Sequence, residues 1–197
     1  MTTRDELLDL FRTSGALLEG HFRLSSGLHS SGYLQCALVL QQPQAAETLA
    51  RAIADRTRNL RPTVVLSPAL GGVVIGHEVG RALGVRAIFA ERQDSDLVLR
   101  RGFMLGESDR VLVIEDVLTT GKSTRETMQV ARAAGAVVVG AASVVDRSDR
   151  PGSGRHGFDV PFATLLEIAL PIYEPDRCPL CAQGLPVVKP GSRPVVA

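Results

Sequence analysis

The sequence has few cysteines and few aromatic residues. Its 197 residues include three cysteines and no tryptophan, and aromatic residues make up 4%. Three cysteines are too few for the disulfide scaffold of a small secreted protein, and a chain of this length buries enough apolar surface to fold without one. No apolar run approaches the ~18 residues that a membrane-spanning helix needs. We therefore expect a cytoplasmic protein with no membrane partner.

An excess of charge of one sign is also missing. The chain has 22 basic and 21 acidic residues, for a net charge of +1, so it has no general field that would attract nucleic acid. Lysine is nearly absent, because Lys122 and Lys189 are the only lysines among the 22 basic residues. Residues 1–12 carry charges of both signs, a pattern unlike that of a signal peptide.

Short apolar runs alternate with helical patterns along most of the chain. Strands are predicted at 64–66, 85–90, 111–114, 137–145 and 162–166, and helices at 5–14, 43–60, 72–83 and 123–134. This alternation predicts an α/β fold, with a mostly parallel central sheet and helices on both faces. Ligands of such sheets bind beyond the carboxyl ends of the strands.

Two segments lack this pattern. Residues 20–35 are rich in serine, glycine and histidine, which predicts a loop or a small irregular lobe. Residues 171–197 contain six prolines and are predicted to be an extended tail that follows a domain of residues 1–170.

The tail also contains a Cys-x-x-Cys pair, Cys178 and Cys181. A zinc site usually has four ligands, and the chain offers no second cysteine pair. A simple turn is therefore the favoured interpretation, although metal binding, for example between subunits, stays open. His21, His29 and His77 are interpreted as packing or loop residues.

The segment that follows the strand at 111–114 is the most informative. Glu115 and Asp116 come directly after four apolar residues, and residues 117–123 read Val-Leu-Thr-Thr-Gly-Lys-Ser. A helix that begins here would present free backbone N–H groups and its positive end to an anion. Ser123 and Glu126 also fit a capping box. We refer to residues 119–123 as the phosphate loop.

Two adjacent carboxylates would repel a phosphate that lay directly on them, so they must serve a neighbouring group. A sugar whose two hydroxyls donate to Glu115 and Asp116, with its phosphate in the loop, satisfies both requirements. The sequence therefore predicts a ribose 5-phosphate site. The loop lacks the first glycine of a P-loop, and residues 71–76 do not form a dinucleotide-binding motif.

Residues 114–124 resemble the phosphoribosyl pyrophosphate (PRPP) signature of the type I phosphoribosyltransferases. The resemblance implies catalytic roles for Glu115 and Asp116. It also implies PRPP contacts by the following residues: Arg92, Glu115, Asp116, Val117, Leu118, Thr119, Thr120, Gly121, Lys122 and Ser123.

Within that family, the chain is similar to the branch that uses orotate. Residues 22–33 look like the hood that covers the base there, which places a hood at about residues 15–42. The resemblance implies that Thr119, Arg147 and Ser25 contact orotate. It further implies transfer of ribose 5-phosphate from PRPP to orotate, in pyrimidine synthesis. The expected partners are Mg²⁺ held through the substrate rather than by protein ligands, and a second copy of the chain that shares the active sites.

The chain departs from the family where lysines are expected. Ser25 precedes the Ser-Gly of the hood, and Gly71 follows the Pro-Ala pair of the first strand-to-helix loop. We expect the backbone N–H groups of residues 69–72 to bind pyrophosphate instead.

The loop at residues 91–102 also lacks the lysines that the family closes over pyrophosphate. Arg92 matches its first basic position, and Arg100 or Arg101 is expected to replace the missing cations.

Two other functions would use the same phosphate loop. A purine phosphoribosyltransferase would lack the hood pattern and Arg147. A regulator that senses PRPP without catalysis would need an added nucleic-acid-binding face, which the balanced charge argues against.

Overall fold

A computed structural model describes residues 3–24, 26–148 and 156–189. The helices are α1 (Arg4–Thr13), α2 (Cys36–Leu40), α3 (Pro43–Thr57), α4 (Gly71–Leu83), α5 (Lys122–Ala133) and α6 (Pro179–Ala182). The strands are β1 (Leu17–Arg23), β2 (His29–Leu34), β3 (Val64–Pro68), β4 (Arg86–Gln93), β5 (Asp96–Leu99), β6 (Arg110–Leu118), β7 (Val137–Asp146), β8 (Phe162–Glu167) and β9 (Ile172–Tyr173).

Six strands form the central sheet, in the order β5-β4-β3-β6-β7-β8. All neighbours pair in parallel except β5, which returns antiparallel to β4. Every position of β3 is buried, as expected for a strand covered on both faces. The predicted α/β fold with a mostly parallel sheet is confirmed.

Alternate residues of the central strands supply two cores. Val65, Leu112 and Ile114 pack on one face with residues of α1, α3 and α4. Val64, Leu66, Val111 and Val113 pack on the other face with Met128 and Ala131 of α5. Successive side chains of a strand point to opposite faces, so continuous apolar runs are what a doubly covered sheet requires.

The hood is a three-stranded antiparallel sheet, in the order β1-β2-β9. The prediction of a loop or irregular lobe at residues 20–35 was therefore wrong. Several buried positions of these strands hold polar residues, namely His21, His29 and Ser30, so hydrophobic periodicity did not reveal the strands. The third strand comes from the tail, through the pairs His29↔Tyr173 and Ser30↔Ile172.

The tail is not simply extended over the part that the structure describes. After β9 it forms a 3₁₀ turn at Pro175–Arg177 and then α6. It returns to the hood through a parallel bridge between Phe22 and Val188. The boundary between a domain of residues 1–170 and a tail stays a prediction.

The loop expected at residues 91–102 begins with regular structure, because β4 continues to Gln93 and forms a hairpin with β5. Gln93 pairs with Asp96, and Asp94 at the turn has φ 53°. Aspartate tolerates this left-handed conformation better than most residues do.

Within the described ranges, no helix combines the length and the apolar character needed to cross a bilayer.

Helix α4 approaches the sheet through glycines spaced four residues apart: Gly72, Gly76 and Gly80. A Cβ added at Gly80 would lie 2.8 Å from the Ala87 Cβ and 3.1 Å from the Val85 carbonyl oxygen. Neither atom can move away by rotating a side chain, so α4 packs this closely because its inner face has no side chains there.

We expect Gly80→Ala to lower the free energy of unfolding by about 1–3 kcal/mol, since overpacking outweighs the better helix propensity of alanine. Urea unfolding measures the change. Gly106→Ala is the matched control, because its Cβ would have no atom within 4 Å. A Gly80→Ala protein as stable as the original chain would contradict this account of the packing.

Candidate active site

Glu115 and Asp116 lie inside β6, not after it. The strand keeps its pairing with β7 from Glu115↔Ser143 to Leu118↔Asp146. The two carboxylates leave the strand on opposite sides. Glu115 Oε2 accepts a hydrogen bond of 2.6 Å from Thr124 Oγ1 of α5. Asp116 lies against the start of α4, where a Cβ on Gly71 would be 2.7 Å from both carboxylate oxygens.

Burial makes both acids unusually basic. It raises the pKa of Glu115 to about 7, with a smaller contribution from the charge of Asp116, while the Thr124 hydroxyl acts in the opposite direction. Burial also raises the pKa of Asp116, against hydrogen bonds from its own and the Val117 backbone. Desolvated carboxylates of this kind mark sites that bind hydrogen-bond donors or cations.

The phosphate loop connects β6 to α5. Thr119, Thr120 and Lys122 are exposed, and Gly121 begins the helix with φ 71°. The Lys122 N–H donates to Thr120 Oγ1 at 3.3 Å. The loop therefore presents hydroxyls and the positive end of a 12-residue helix on one side.

The predicted capping box is wrong. Gly121 is the N-cap, and Ser123 lies within the helix, where its carbonyl accepts from Thr127 Oγ1 at 2.8 Å. Glu126 does not reach back to the helix start, because it accepts from Arg92 Nη2 at 2.7 Å. The left-handed glycine starts the helix two residues earlier than a serine cap would.

Arg125 holds the backbone of the phosphate loop, a role that the sequence analysis did not predict. Its Nη2 donates to the Thr120 carbonyl at 2.9 Å, and its Nη1 donates to the His156 carbonyl at 3.0 Å. The guanidinium lies 6.0 Å from the centre of the Phe158 ring. No sequence motif marks such a residue, since its partners are backbone atoms distant in the chain.

The remaining loop residues have different surroundings. The Leu118 side chain is 1% exposed and packs in the core, so only its backbone can meet a ligand. Val117 lines the cavity described below. Lys122 Nζ is 3.7 Å from Glu126 Oε1, on the exposed side of α5.

Arg147 is brought beside the loop by its backbone N–H, which donates to the Leu118 carbonyl at 2.8 Å. The preceding residue, Asp146, is fully buried. Its Oδ2 lies 3.0 Å from His156 Nε2, and its Oδ1 accepts from the Ser148 N–H at 2.9 Å. This buried pair, which sequence reasoning missed, fixes the end of β7 next to Arg147. Ser25 lies outside the described residues.

The candidate arginines in and beside the β4–β5 hairpin differ in whether their side chains already have hydrogen-bond partners. Arg92 donates to Glu126 and to the Ser95 carbonyl. Arg101 holds both carboxylate oxygens of Glu91 at 2.8 Å and lies 5.8 Å from the centre of the Phe89 ring.

Arg100 is exposed, and its side chain forms no hydrogen bond with any residue that the structure describes, while its backbone carbonyl accepts from the Phe103 N–H at 2.9 Å. Its positive charge contributes to lowering the pKa of Glu91, after the larger effect of Arg101. Arg100 is thus the hairpin cation that can reach a ligand without breaking an existing pair.

The expected group of backbone donors at residues 69–72 is smaller than predicted. The Ala69 N–H donates to the Ala90 carbonyl at 2.8 Å and is therefore occupied. The Ala69–Leu70 peptide is cis, and α4 begins at Gly71 with no side-chain cap among the described residues. The start of α4 is left as the anion-binding part of this turn.

A cavity of about 490 Å³ opens between the hood and the sheet. Asp116 and Val117 form its sheet side, and Leu70, Gly71 and Val74 form its rim. The short helix α2, absent from the sequence prediction, supplies part of the opposite wall through Cys36, Ala37 and Leu40. The cavity places Asp116 at the boundary between an apolar wall and the start of α4.

Comparison with known proteins agrees with this geometry. Residues 37–162 match the family described as "Phosphoribosyl transferase domain". The orotate phosphoribosyltransferase of Pelotomaculum thermopropionicum is 49% identical over 193 residues, which cover 98% of this chain and 100% of the relative. That of Carboxydothermus hydrogenoformans is 50% identical, over 95% of this chain and 97% of the relative. The chain belongs to the orotate phosphoribosyltransferase family.

A solved structure of that family supports the fold assignment. The Mycobacterium tuberculosis orotate phosphoribosyltransferase in complex with PRPP has a TM-score of 0.65 at 25% identity, covering 83% of this chain and 95% of that one. The predicted type I phosphoribosyltransferase fold is confirmed, and so is the orotate phosphoribosyltransferase function over its purine-using and non-catalytic alternatives.

The raised pKa of Glu115 predicts a pH-dependent effect of Glu115→Gln. The folded protein binds this proton more tightly than the unfolded chain, so the free energy of unfolding falls as pH rises from about 4.5 to about 7. Glutamine removes this loss and can still accept from Thr124. We expect the variant to be more stable than the original chain by about 3 kcal/mol at pH 8 and by less than about 1 kcal/mol at pH 5.

Chemical unfolding at the two pH values measures the difference. Glu126→Gln is the control, because Arg92 lowers the pKa of Glu126 and removing that charge should not stabilise the fold. Equal stability of Glu115→Gln and the original chain at pH 8 would contradict the inferred burial cost.

Proposed function

We propose that this orotate phosphoribosyltransferase carries out its reaction at the carboxyl edge of β6. A ring nitrogen of orotate displaces pyrophosphate from C1 of PRPP, so a carbon–oxygen bond breaks, a carbon–nitrogen bond forms, and the proton of that nitrogen passes to the leaving pyrophosphate or to water. The observation that carries this location is the pair of desolvated carboxylates, Glu115 and Asp116, directly before the phosphate loop.

The phosphate loop is proposed to hold the 5-phosphate of PRPP. Thr119 and Thr120 offer exposed hydroxyls, and Gly121 is the N-cap of α5, whose first backbone N–H groups follow directly in the chain. Arg125 keeps the loop in place through the Thr120 carbonyl. A fixed phosphate positions C1 for attack, which makes the reaction effectively intramolecular.

Glu115 and Asp116 are proposed to accept hydrogen bonds from the ribose hydroxyls. Because both groups are largely removed from water, such bonds and the field of the two charges are stronger than in solution. As the bond breaks, positive charge develops on the ribose ring, and the two carboxylates stabilise that charge. In the empty site, the desolvation of the carboxylates is not offset by any such interaction.

Mg²⁺ is proposed to accompany PRPP. The site fits it, because Mg²⁺ prefers oxygen ligands and keeps substrate phosphates and waters in its shell, needing one or two carboxylates at most. When bound, the ion would neutralise charge on the leaving pyrophosphate. Asp116, whose carboxylate lies between the cavity and the start of α4, is the described side chain best placed to face it.

Orotate is proposed to bind near Arg147 and Thr119. Both residues lie at the carboxyl edge of the sheet, joined by the bond from the Arg147 N–H to the Leu118 carbonyl. A planar anion that carries a carboxylate suits a guanidinium, which can donate two parallel hydrogen bonds.

A homodimer and a cytoplasmic location stay predictions. The apolar side chains Leu70, 87% exposed, and Val74, 47% exposed, lie together on the cavity rim. Contact with a second copy would remove them from water.

The decisive assay mixes the protein with PRPP, Mg²⁺ and orotate and follows the loss of orotate absorbance. We expect turnover, and we expect Asp116→Asn to lower kcat/KM by about 100-fold because a neutral amide stabilises the ribosyl charge poorly. Asp55→Asn, on the exposed face of α3, is the matched control. An Asp116→Asn enzyme with undiminished kcat/KM would exclude this role for Asp116.

The hairpin predicts different effects for two neighbouring arginines. Arg100→Ala should raise the KM for PRPP about 10-fold with little change in thermal stability, since it removes an unengaged cation. Arg101→Ala should lower stability by at most about 1 kcal/mol, because an exposed ion pair contributes little, and should spare the KM. Steady-state kinetics and thermal unfolding separate the two, and the reverse pattern would reject Arg100 as the pyrophosphate cation.

A further inference from the structure

Two histidines of the hood and two cysteines of the tail meet in one cluster. His21 lies on β1, His29 begins β2, and Cys178 and Cys181 flank the start of α6. One ring nitrogen or sulfur from each of the four residues lies within 4.8 Å of all the others. Among the described residues, this is the one group of three or more potential metal ligands so closely gathered.

The distances within the cluster are those of ligands around a common centre. His21 Nε2 is 2.9 Å from His29 Nδ1, 3.5 Å from Cys178 Sγ and 3.7 Å from Cys181 Sγ, and Cys181 Sγ is 3.3 Å from His29 Nδ1. Nitrogen and sulfur ligands of tetrahedral Zn²⁺ lie about 3.3–3.8 Å apart, given bonds of about 2.0–2.3 Å. The two remaining pairs, which Cys178 forms with His29 and with Cys181, are within 4.8 Å, so shifts of up to about 1 Å would complete that geometry.

The backbone determines which ring nitrogen of His21 carries a proton. Its Nδ1 lies 2.8 Å from the Leu185 carbonyl oxygen, which can only accept a hydrogen bond. Nδ1 must therefore carry the proton, and the neutral ring has its lone pair on Nε2, the atom that faces His29 and both sulfurs. A ligating histidine is commonly oriented in this way, by a carbonyl on its other nitrogen.

The surrounding backbone holds the cluster together from both sides. The Val188 N–H donates to the His21 carbonyl, and the Arg23 N–H donates to the Val188 carbonyl, both at 2.8 Å. The Ala182 N–H donates to the Cys178 carbonyl at 3.2 Å, which closes a tight turn between the two cysteines. His21, His29 and Cys178 are each less than 9% exposed, so the site is largely shielded from water.

We propose that His21, His29, Cys178 and Cys181 bind one Zn²⁺ ion that fastens the tail to the hood. Two thiolates with two imidazoles in a tetrahedral arrangement are the donor set of a structural zinc site, and they leave no position for a catalytic water. The ion joins segments that are 157 residues apart in sequence, Cys178 and His21. It fixes β9 and the following tail against β1 and β2, and the last residue of β2, Leu34, lines the cavity beside Asp116.

The site explains what the sequence left open about the cysteine pair. The missing half of the ligand set is a pair of histidines, not a second Cys-x-x-Cys, and both come from the hood of the same chain. Binding within one chain, rather than between subunits, follows from the short distances inside the cluster.

Metal analysis of the full-length protein tests the proposal directly. Purified without chelator, or reconstituted with Zn²⁺ after its removal, the chain should hold about one zinc per chain. Co²⁺ exchanged into the site should show the intense visible absorption of a tetrahedral thiolate complex. Removal of zinc should lower Tm by about 5 °C or more, because the ion binds the folded chain.

Cys181→Ser is the test variant, because Cys181 is the exposed member of the cluster and serine preserves its shape. It should lose most of the bound zinc and the Co²⁺ absorption. Cys36→Ala, a buried cysteine outside the cluster, should keep both.

Two results would overturn the proposal. One is an original chain that holds no zinc, even after reconstitution under reducing conditions, while thiol labelling and circular dichroism show free cysteines and a folded protein. The other is a Cys178–Cys181 disulfide, seen by mass spectrometry in freshly isolated protein. Neither readout involves orotate turnover, so the zinc site and the proposed active site are tested separately.

Discussion

The burial of two adjacent carboxylates at the end of β6 is the constraint on which the rest of the site depends. Glu115 and Asp116 remain within the strand, so the sheet fixes their backbone while α5 and the start of α4 enclose their side chains. This placement costs free energy in the empty protein, since the pKa of both groups is raised. In the proposed function, this cost is offset when ribose hydroxyls and positive charge bind to the two groups.

The elements around that pair are consistent with a site assembled from the carboxyl ends of strands. The phosphate loop follows β6, Arg147 follows β7, and the start of α4 follows β3. Each is held by a specific contact: Arg125 on the loop, the bond from the Arg147 N–H to Leu118, and Gly71 against Asp116. The end of β2 and helix α2 line the opposite side of the cavity, and the proposed zinc ion would hold the tail against β1 and β2.

The sequence predicted what depends on local pattern and missed what depends on distant partners. Continuous apolar runs such as 111–114 identified the buried strands, and the acidic pair with its loop indicated the candidate site. The hood strands were not predicted because some of their buried positions hold histidines, His21 and His29. The partners of these histidines are the tail cysteines, which lie about 150 residues away in the sequence. The capping box failed because Gly121 starts the helix first, and Arg125 bonds backbone atoms, which leave no signature.

We infer that Glu115, largely protonated in the empty site below pH 7, becomes a carboxylate that accepts hydrogen bonds from ribose when PRPP binds. Isothermal titration of PRPP with Mg²⁺ at pH 6.5, in buffers of different ionisation enthalpy, measures the protons exchanged on binding. Since the pKa of Glu115 is raised to about 7, binding should release a large fraction of one proton, and Glu115→Gln should abolish that release. The same proton release in both proteins would contradict the account.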